Sequence, residues 1–579
     1  MVQEQSADII TPISKPASKP QANAAILYTA SDFRTSGEKL MGRNAASEGF
    51  LQGFVKHANV NDFYCYAHQR STFNDFSQRV QQMAAQNPVT CRWVSPLNIH
   101  ALAEPGCFFT PDPNISRYAW IRRQGNQRAY SLCGITHTIS SQGSIDLITS
   151  LISAPTQRWD TLICTSRVVK KSIEHLLGEW GAYLAERFGA TTAIQPRLQL
   201  PVIPLGIDCS QFDLAGTEPE IRHKWRDKLG IGEDDIVFLF VGRLSFHAKA
   251  HPTPMYIALE NAARQTGRKV HLIQSGWFAN DSIANAFKEG ADALCPSINM
   301  IYLDGRQPDI RKEIWFAADV FTSLSDNIQE TFGLTPIEAM AAGLPVVVTD
   351  WDGYRDTVRH GVDGFTVPTM APPPGFARDL ALRFEMDIDN YDIYIGNTSH
   401  TVSVDIAATS RAYAALMDDA ELRQRMGEAG KKRAKDVYDW KHVIAAYMDL
   451  WQELAILRQN VDEVVRKAPD RPANPSRDDP FSFFSSYPTT TIRADDHICL
   501  LQEAPLAYYQ TISRLLLHNY GYHAPEALCQ HLVQTIAATE NATVSALLAT
   551  IVPAQHTIAT RALLEMAKIG LISIGSHNK

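Results

Sequence analysis

Short apolar runs recur along this chain at intervals that leave room for a helix between them, and that alternation decides the fold class. AAILYT (24–29), FYCYAH (63–68), CRWVSP (91–96), LCGITHTIS (132–140) and TLICTS (161–166) make one series. IVFLFVGRL (236–244), KVHLIQSG (269–276), NMIYLDG (299–305), DVFTSLS (319–325) and LPVVVTD (344–350) make a second. Apolar runs of this length bounded by turn residues read as buried strands, and strands alternating with helical stretches build parallel sheets. Two such series, joined near residue 200, predict two α/β domains. In open sheets of this kind ligands collect at the carboxyl ends of the strands, so the chemistry is sought there.

A chain of 579 residues is too long for one ordinary domain. The polar, Pro-rich stretch 1–23 reads as a floppy tail, followed by domains at 24–200 and 201–460. Residues 370–404, with APPPG and NYDIYIGNTSHTVS, read as an irregular insertion in the second domain. A polar linker at 461–486 leads to a small, mostly helical unit at 487–579 whose ending resembles a winged helix. That unit has five Lys or Arg against six Asp or Glu across 490–579, too acidic to read nucleic-acid phosphates. It reads instead as a module for a protein partner or for self-association. The net charge of −8 gives no pull toward nucleic acid or anionic membrane. No apolar run approaches the roughly 18–20 residues of a membrane span, and the start lacks the basic and apolar regions of a secretory signal. Nine scattered cysteines, odd in number and without a CxxC pair, read as reduced thiols. A cytoplasmic location is expected.

The densest signal is QETFGLTPIEAMAAGLPVVVTD (329–350). Thr335 is expected to cap a helix with Pro336 in its first turn and Glu338 completing a Thr-x-x-Glu capping box. Gly343 and Pro345 stop it. The helix then starts where Phe332, Gly333 and Leu334 deliver free amides, a ready site for a phosphate. Glu338 has a purely structural reading as part of the cap, whereas Glu330 lies in the loop before the helix. VGRLSFHAK (241–249) sets Arg243 and Lys249 just after a strand. Such a pair is commonly a solvated face, but a departing diphosphate needs positive charge from side chains or a metal. The acidic pairs Asp234-Asp235 and Asp495-Asp496 read as surface turns rather than metal ligands.

The Glu330-x7-Glu338 spacing, with Phe-Gly-Leu and Glu-Ala-Met-Ala-Ala-Gly-Leu-Pro-Val-Val around it, resembles the family-4 glycosyltransferases of the GT-B fold. The likeness runs over roughly 24–460 and is close over 201–370. It implies two Rossmann-like domains facing across a cleft, the first for an acceptor and the second for a nucleotide-sugar donor. It implies that Glu330 contacts donor-sugar hydroxyls, that Glu338 binds the ribose, and that Arg243 and Lys249, at the family's Arg-x5-Lys spacing, grip the diphosphate. Phe332, Gly333, Leu334 and Thr335 complete the donor cradle, to which the family's glycine-rich loop adds Gly42. His137, in GITHTIS, matches the family's active-site histidine, and its plain alternative is a satisfied histidine at a strand end. Ser166 reads as the cap of the following helix. IPLGID (203–208) resembles the interdomain Pro-x-Gly-x-Asp word and marks the hinge. Two positions depart from the pattern: Gln274-Ser275-Gly276-Trp277 replaces a Gly-x-Gly, and Thr331 replaces a small residue. The resemblance implies transfer of a hexosyl-type sugar to a glycan, lipid or protein, with retention of configuration and with neither metal nor cofactor. The competing readings are a GT-B nucleotide-sugar epimerase, a glycoside hydrolase, and a sugar-nucleotide-binding protein whose C-terminal module mediates interactions.

Overall fold

The computed structural model describes residues 22–33, 42–85, 87–214, 216–516 and 524–575. It divides into two units, Met1–Pro475 and Ser476–Lys579. The tail expected at 1–23 lies outside the described residues apart from its last two. Asn23, at its end, donates its side-chain amide to the Asp62 carbonyl at 2.9 Å.

The first unit holds two six-stranded sheets. The amino-terminal sheet comprises β1 (Ala25–Leu27), β2 (Asp62–Tyr66), β3 (Thr90–Val94), β4 (Cys107–Phe109), β5 (Ser131–Ile135) and β6 (Thr161–Ile163) in the order β3-β2-β1-β4-β5-β6. The second comprises β7 (Ile236–Val241), β8 (Val270–Gly276), β9 (Asn299–Asp304), β10 (Val320–Ser323), β11 (Val346–Thr349) and β12 (Gly364–Val367) in the order β12-β11-β10-β7-β8-β9. All pairings are parallel. Read from opposite edges the two orders are the same, with reversal between β1 and β4 in one and between β7 and β10 in the other. This is the doubly wound arrangement twice over, a GT-B architecture. β5, β8, β10 and β11 are buried along their whole length, as a parallel sheet covered by helices on both faces requires. β4 and β12 were not among the apolar runs expected to be strands. They are three and four residues long, too short to show a period.

Six helices position the site: α1 (Gly42–His57), α2 (Arg167–Phe188), α3 (Leu334–Ala341), α4 (Arg378–Glu385), α5 (Tyr391–His400) and α6 (Trp440–Asn460). Residues 370–404 are therefore not irregular. α4 and α5 form a helical hairpin, closed at its base by the antiparallel pairing of Thr369–Met370 with Ser403–Val404. The reading missed them because they are short and largely exposed, so little apolar periodicity marks them.

The second domain also ends earlier than 460. α6 crosses back and packs on the amino-terminal domain. Trp440, Val443, Ile444, Tyr447, Leu450, Trp451 and Leu454 form its buried stripe, and its aromatic rings meet Phe50, Phe54 and Phe109. The Trp440 ring lies so near Gly53 and Gly206 that a Cβ there would come within 2.7 and 2.6 Å of it. Each such side chain contributes roughly 1.5–3 kcal/mol of apolar burial. Part of the expected linker is likewise tied down. Arg123 donates to the Ala473 carbonyl at 2.8 Å and Gln157 to that of Val464 at 2.8 Å. A polar segment read as a tether thus serves as a row of backbone acceptors.

The second unit carries the antiparallel pair His497–Leu500 and Ile572–Gly575 beside helices that include Glu526–Ala538 and His556–Lys568. Its core gathers Leu528, Leu532, Leu547, Leu563 and Met566. Among the described residues no helix is long and apolar enough to cross a membrane.

Candidate active site

Arg243 and Lys249 follow β7, and the segment Ser325–Gly333 follows β10, so both arise where the strand order reverses. The two loops are tied together. Asn327 donates to the His247 carbonyl, Ser325 to the Lys249 carbonyl at 3.3 Å, and the Trp351 ring to the Asn327 carbonyl at 3.0 Å.

Lys249 Nζ donates to Glu330 Oε2 at 2.5 Å, and the Thr331 amide donates to Glu330 Oε1 at 3.2 Å. Burial pushes the Glu330 carboxyl up, but the charge and hydrogen bond of Lys249, with the Thr331 and Phe332 amides, outweigh it and hold the group below its ordinary value. Arg243 donates to Gln329 Oε1 at 3.0 Å. Burial lowers its guanidinium pKa, opposed by the carboxylates of Asp392 and Glu330. The sequence thus brought a basic pair and an acid together at one strand crossing, partly withdrawn from water.

Gly333, not Thr335, is the N-cap of α3, and no side chain caps this helix. Gly333 has φ of 85°, and a Cβ there would lie 2.0 Å from the Tyr354 ring, so only glycine fits. Tyr354 is held by its hydroxyl on Ser323 at 2.9 Å. The helix therefore starts two residues before the position that Thr335 as its cap would need, which places Thr335 and Pro336 inside it and leaves the capping box unmade. Phe332, Gly333, Leu334 and Thr335 still line the helix start, whose first amides have no intrahelical acceptor. Glu338 is one turn further in, and burial pushes its carboxyl up to about 7, opposed by Arg311.

Two acids that sequence reading missed join this cluster. Asp326 is buried, with Oδ2 accepting from the His251 amide at 3.3 Å and Oδ1 without a partner among the described residues. Burial pushes it up to about 7. Asp352 follows β11 with φ of 41°, accepts from the Tyr354 amide at 3.0 Å, and has a buried Oδ2 without a partner among the described residues. Burial and the neighbouring Glu330 carboxylate push it well above the ordinary value. In the sequence Asp352-Gly353 reads only as a turn, because the burial that gives it chemistry comes from distant segments.

On the amino-terminal side His137 sits just past β5. One ring nitrogen faces the Pro111 carbonyl, Nε2 has no partner among the described residues, and burial lowers its pKa to about 4. The ring is therefore neutral near pH 7. With a proton on the nitrogen facing Pro111, Nε2 is a bare acceptor. Gly42 is the first residue of α1, and a Cβ there would meet nothing within 4 Å. Residues 34–41 before it lie outside the described residues. Ser166 caps α2 by accepting from the Val169 amide, and its hydroxyl also donates to the Thr331 carbonyl at 3.0 Å. Next to it, Arg167 donates its amide and its Nε to Asp356 at 2.6 and 2.8 Å. Ser166 is thus both a cap and a contact across the cleft beside Glu330. Among the described residues no group of three or more His, Cys, Asp or Glu is gathered in a way that could hold a metal ion.

Residues 221–382 match the family model described as Glycosyl transferases group 1. D-inositol 3-phosphate glycosyltransferase of Geodermatophilus obscurus is 28% identical over 288 residues, covering 48% of this chain and 52% of the relative. Its counterpart from Nocardia farcinica is 30% identical over 186 residues, covering 32% and 38%. The chain spans about half or less of the length of these relatives. Among solved structures, Anabaena Alr3699/HepE in complex with UDP and glucose covers 74% of this chain and 99% of its own at 15% identity, with a TM-score of 0.46. The segment that holds Arg243, Lys249, Glu330 and Glu338 is the one that matches this family model.

Proposed function

We propose that this protein is a metal-independent, cofactor-free glycosyltransferase that moves a sugar from a nucleoside-diphosphate donor to an acceptor with retention of configuration. One observation carries the reading: Arg243 and Lys249 lie with Glu330 and the amides after β10, at the point where the second sheet reverses its order. Two cations and a helix start suit an anionic diphosphate, and a carboxylate beside them suits sugar hydroxyls.

In this reading the donor replaces the internal pairing. Its diphosphate takes Arg243 and Lys249, its sugar hydroxyls take Glu330, and its ribose diol takes the Glu338 carboxylate. As the bond from the anomeric carbon to the diphosphate oxygen breaks, negative charge grows on that oxygen between the two cations. The acceptor oxygen attacks the same face, and its proton passes to the leaving phosphate oxygen. His137 Nε2 accepts from a hydroxyl of the bound sugar and adds no charge. Two relatives are D-inositol 3-phosphate glycosyltransferases, so an inositol phosphate is one acceptor class to test.

The test is a panel of UDP-, GDP- and ADP-sugars. A true donor raises thermal stability, by about 2.7 kcal/mol at a hundred times its dissociation constant. With an acceptor it releases nucleoside diphosphate in the presence of a chelator. Lys249→Ala is expected to lower turnover on the order of 10²–10³-fold with the fold intact. Full turnover in that variant, or abolition of wild-type turnover by the chelator, would falsify the proposal.

A further inference from the structure

The segment after β11 is fixed, residue by residue, to the loop that presents Glu330. The Thr349 hydroxyl donates to the Ser325 carbonyl at 2.6 Å, and the Trp351 ring to that of Asn327 at 3.0 Å. Gly353 is pressed so close that a Cβ there would come within 2.4 Å of the Thr331 carbonyl oxygen and of the Phe332 Cα. The Tyr354 ring abuts Gly333, and its hydroxyl meets Ser323 at 2.9 Å. Asp350 pairs with Arg355 at 3.2 Å. In this run Asp352 keeps a buried polar atom unused, since its Oδ2 has no partner among the described residues.

Two features make Asp352 costly where it stands. Its φ of 41° is a left-handed conformation that glycine adopts without a Cβ penalty. A buried polar atom without a partner also opposes folding. The turn does not need the second oxygen, because Oδ1 already accepts from the Tyr354 amide at 3.0 Å, the bond that suits Asp to such a turn. Oδ2 is left over, in a run packed on Thr331 and Phe332, the two residues that follow Glu330. We propose that Asp352 is a further binding residue for the donor sugar, its Oδ2 hydrogen-bonding a sugar hydroxyl beside Glu330. This rests on the reading of Glu330 as the carboxylate that faces the sugar. Burial keeps the Asp352 carboxyl protonated well above the ordinary range, so it brings an O–H to the sugar and no second charge beside Glu330.

The experiment uses the full chain and the UDP-, GDP- or ADP-sugar that most stabilises wild type, beside the matching bare UDP, GDP or ADP. Calorimetric titration with both is run on wild type, Asp352→Gly and Asp352→Asn. Glycine keeps the backbone conformation and removes the carboxyl. Asparagine keeps an acceptor for the Tyr354 amide and puts an N–H where the O–H stood. Asp352→Gly is expected to bind the sugar nucleotide about tenfold more weakly and the bare diphosphate as wild type does. Asp352→Asn is expected to stay close to wild type with both. Equal sugar-nucleotide affinity in wild type and Asp352→Gly overturns the proposal and leaves the diphosphate site standing. Parallel weakening of sugar nucleotide and bare diphosphate in Asp352→Gly also overturns it, because a residue that only shapes the loop has that effect. An Asp352→Asn protein as weak toward the sugar nucleotide as Asp352→Gly overturns the hydrogen bond at Oδ2. If neither the sugar nucleotides nor the bare diphosphates bind wild type, the reading of the donor site falls and the proposal with it.

Discussion

Glu338 holds a carboxyl pushed up to about 7 by burial, against an ordinary value of 4.5. The folded chain therefore binds this proton more tightly than the unfolded chain. Its contribution to stability is complete below about pH 4.5 and is lost as pH rises through 7. Glu338→Gln is expected to stabilise the ligand-free protein at pH 8 by on the order of 1–3 kcal/mol and to change little at pH 4.5. Denaturant melts at the two pH values check this, and an equal effect at both would remove the burial argument. At this scale the sequence was legible where chemistry depends on spacing. Arg243, Lys249, Glu330 and Glu338 stand at intervals that any reader can count. It was not legible where chemistry depends on what folds over a residue. Asp326 and Asp352 are ordinary acids in the sequence and become high-pKa groups only under the segments that bury them. Thr335 shows the same limit for local rules, since the cap signal was sound but the Tyr354 ring, packed against Gly333, decides where the helix begins.

Among the elements, α6 shows a helix whose pattern could be read and whose partner could not. Its stripe at 440, 443, 444, 447, 450, 451 and 454 follows the helical period, yet nothing in that period says which domain it covers. Trp440 decides it, because Gly49, Gly53 and Gly206 leave room for an indole from the end of the second domain. Trp440 is 4% exposed, so Trp440→Ala is expected to cost about 3–5 kcal/mol. The cavity would lie at the junction of both domains, so the whole first unit should lose stability in one transition. A melt in which only one part of that unit unfolds earlier would contradict a shared core. The long βα repeats were legible for the opposite reason: a strand buried on both faces is apolar throughout, so its signal survives without knowledge of its neighbours.

Across the molecule, the two domains of the first unit are joined by two chain crossings that run side by side. The Ile207 amide donates to the Tyr438 carbonyl at 2.8 Å and the Trp440 amide to the Ile207 carbonyl at 3.0 Å. Adjacent strands of chain at one edge make a hinge, and the cleft-side contacts then set the angle. Those contacts are few and polar: Ser166 on Thr331, Arg167 on Asp356, and Tyr391 on Ser140. The Arg167 side chain is 73% exposed, so its ion pair adds at most about 1 kcal/mol to folding. The same amount is a fivefold change in a two-state closure. Asp356→Ala is therefore expected to leave the melting temperature nearly unchanged while opening the cleft of the ligand-free protein. Single-molecule energy transfer between dyes on Leu97→Cys and Lys288→Cys, both exposed sites on different domains, reads this directly once the exposed Cys499 is replaced by serine. The variant should show a new or enlarged population at altered transfer efficiency, and a bound nucleotide sugar should return it to the wild-type distribution. If the distributions coincide without ligand, these polar contacts do not set the angle, and closure must reside in the hinge itself.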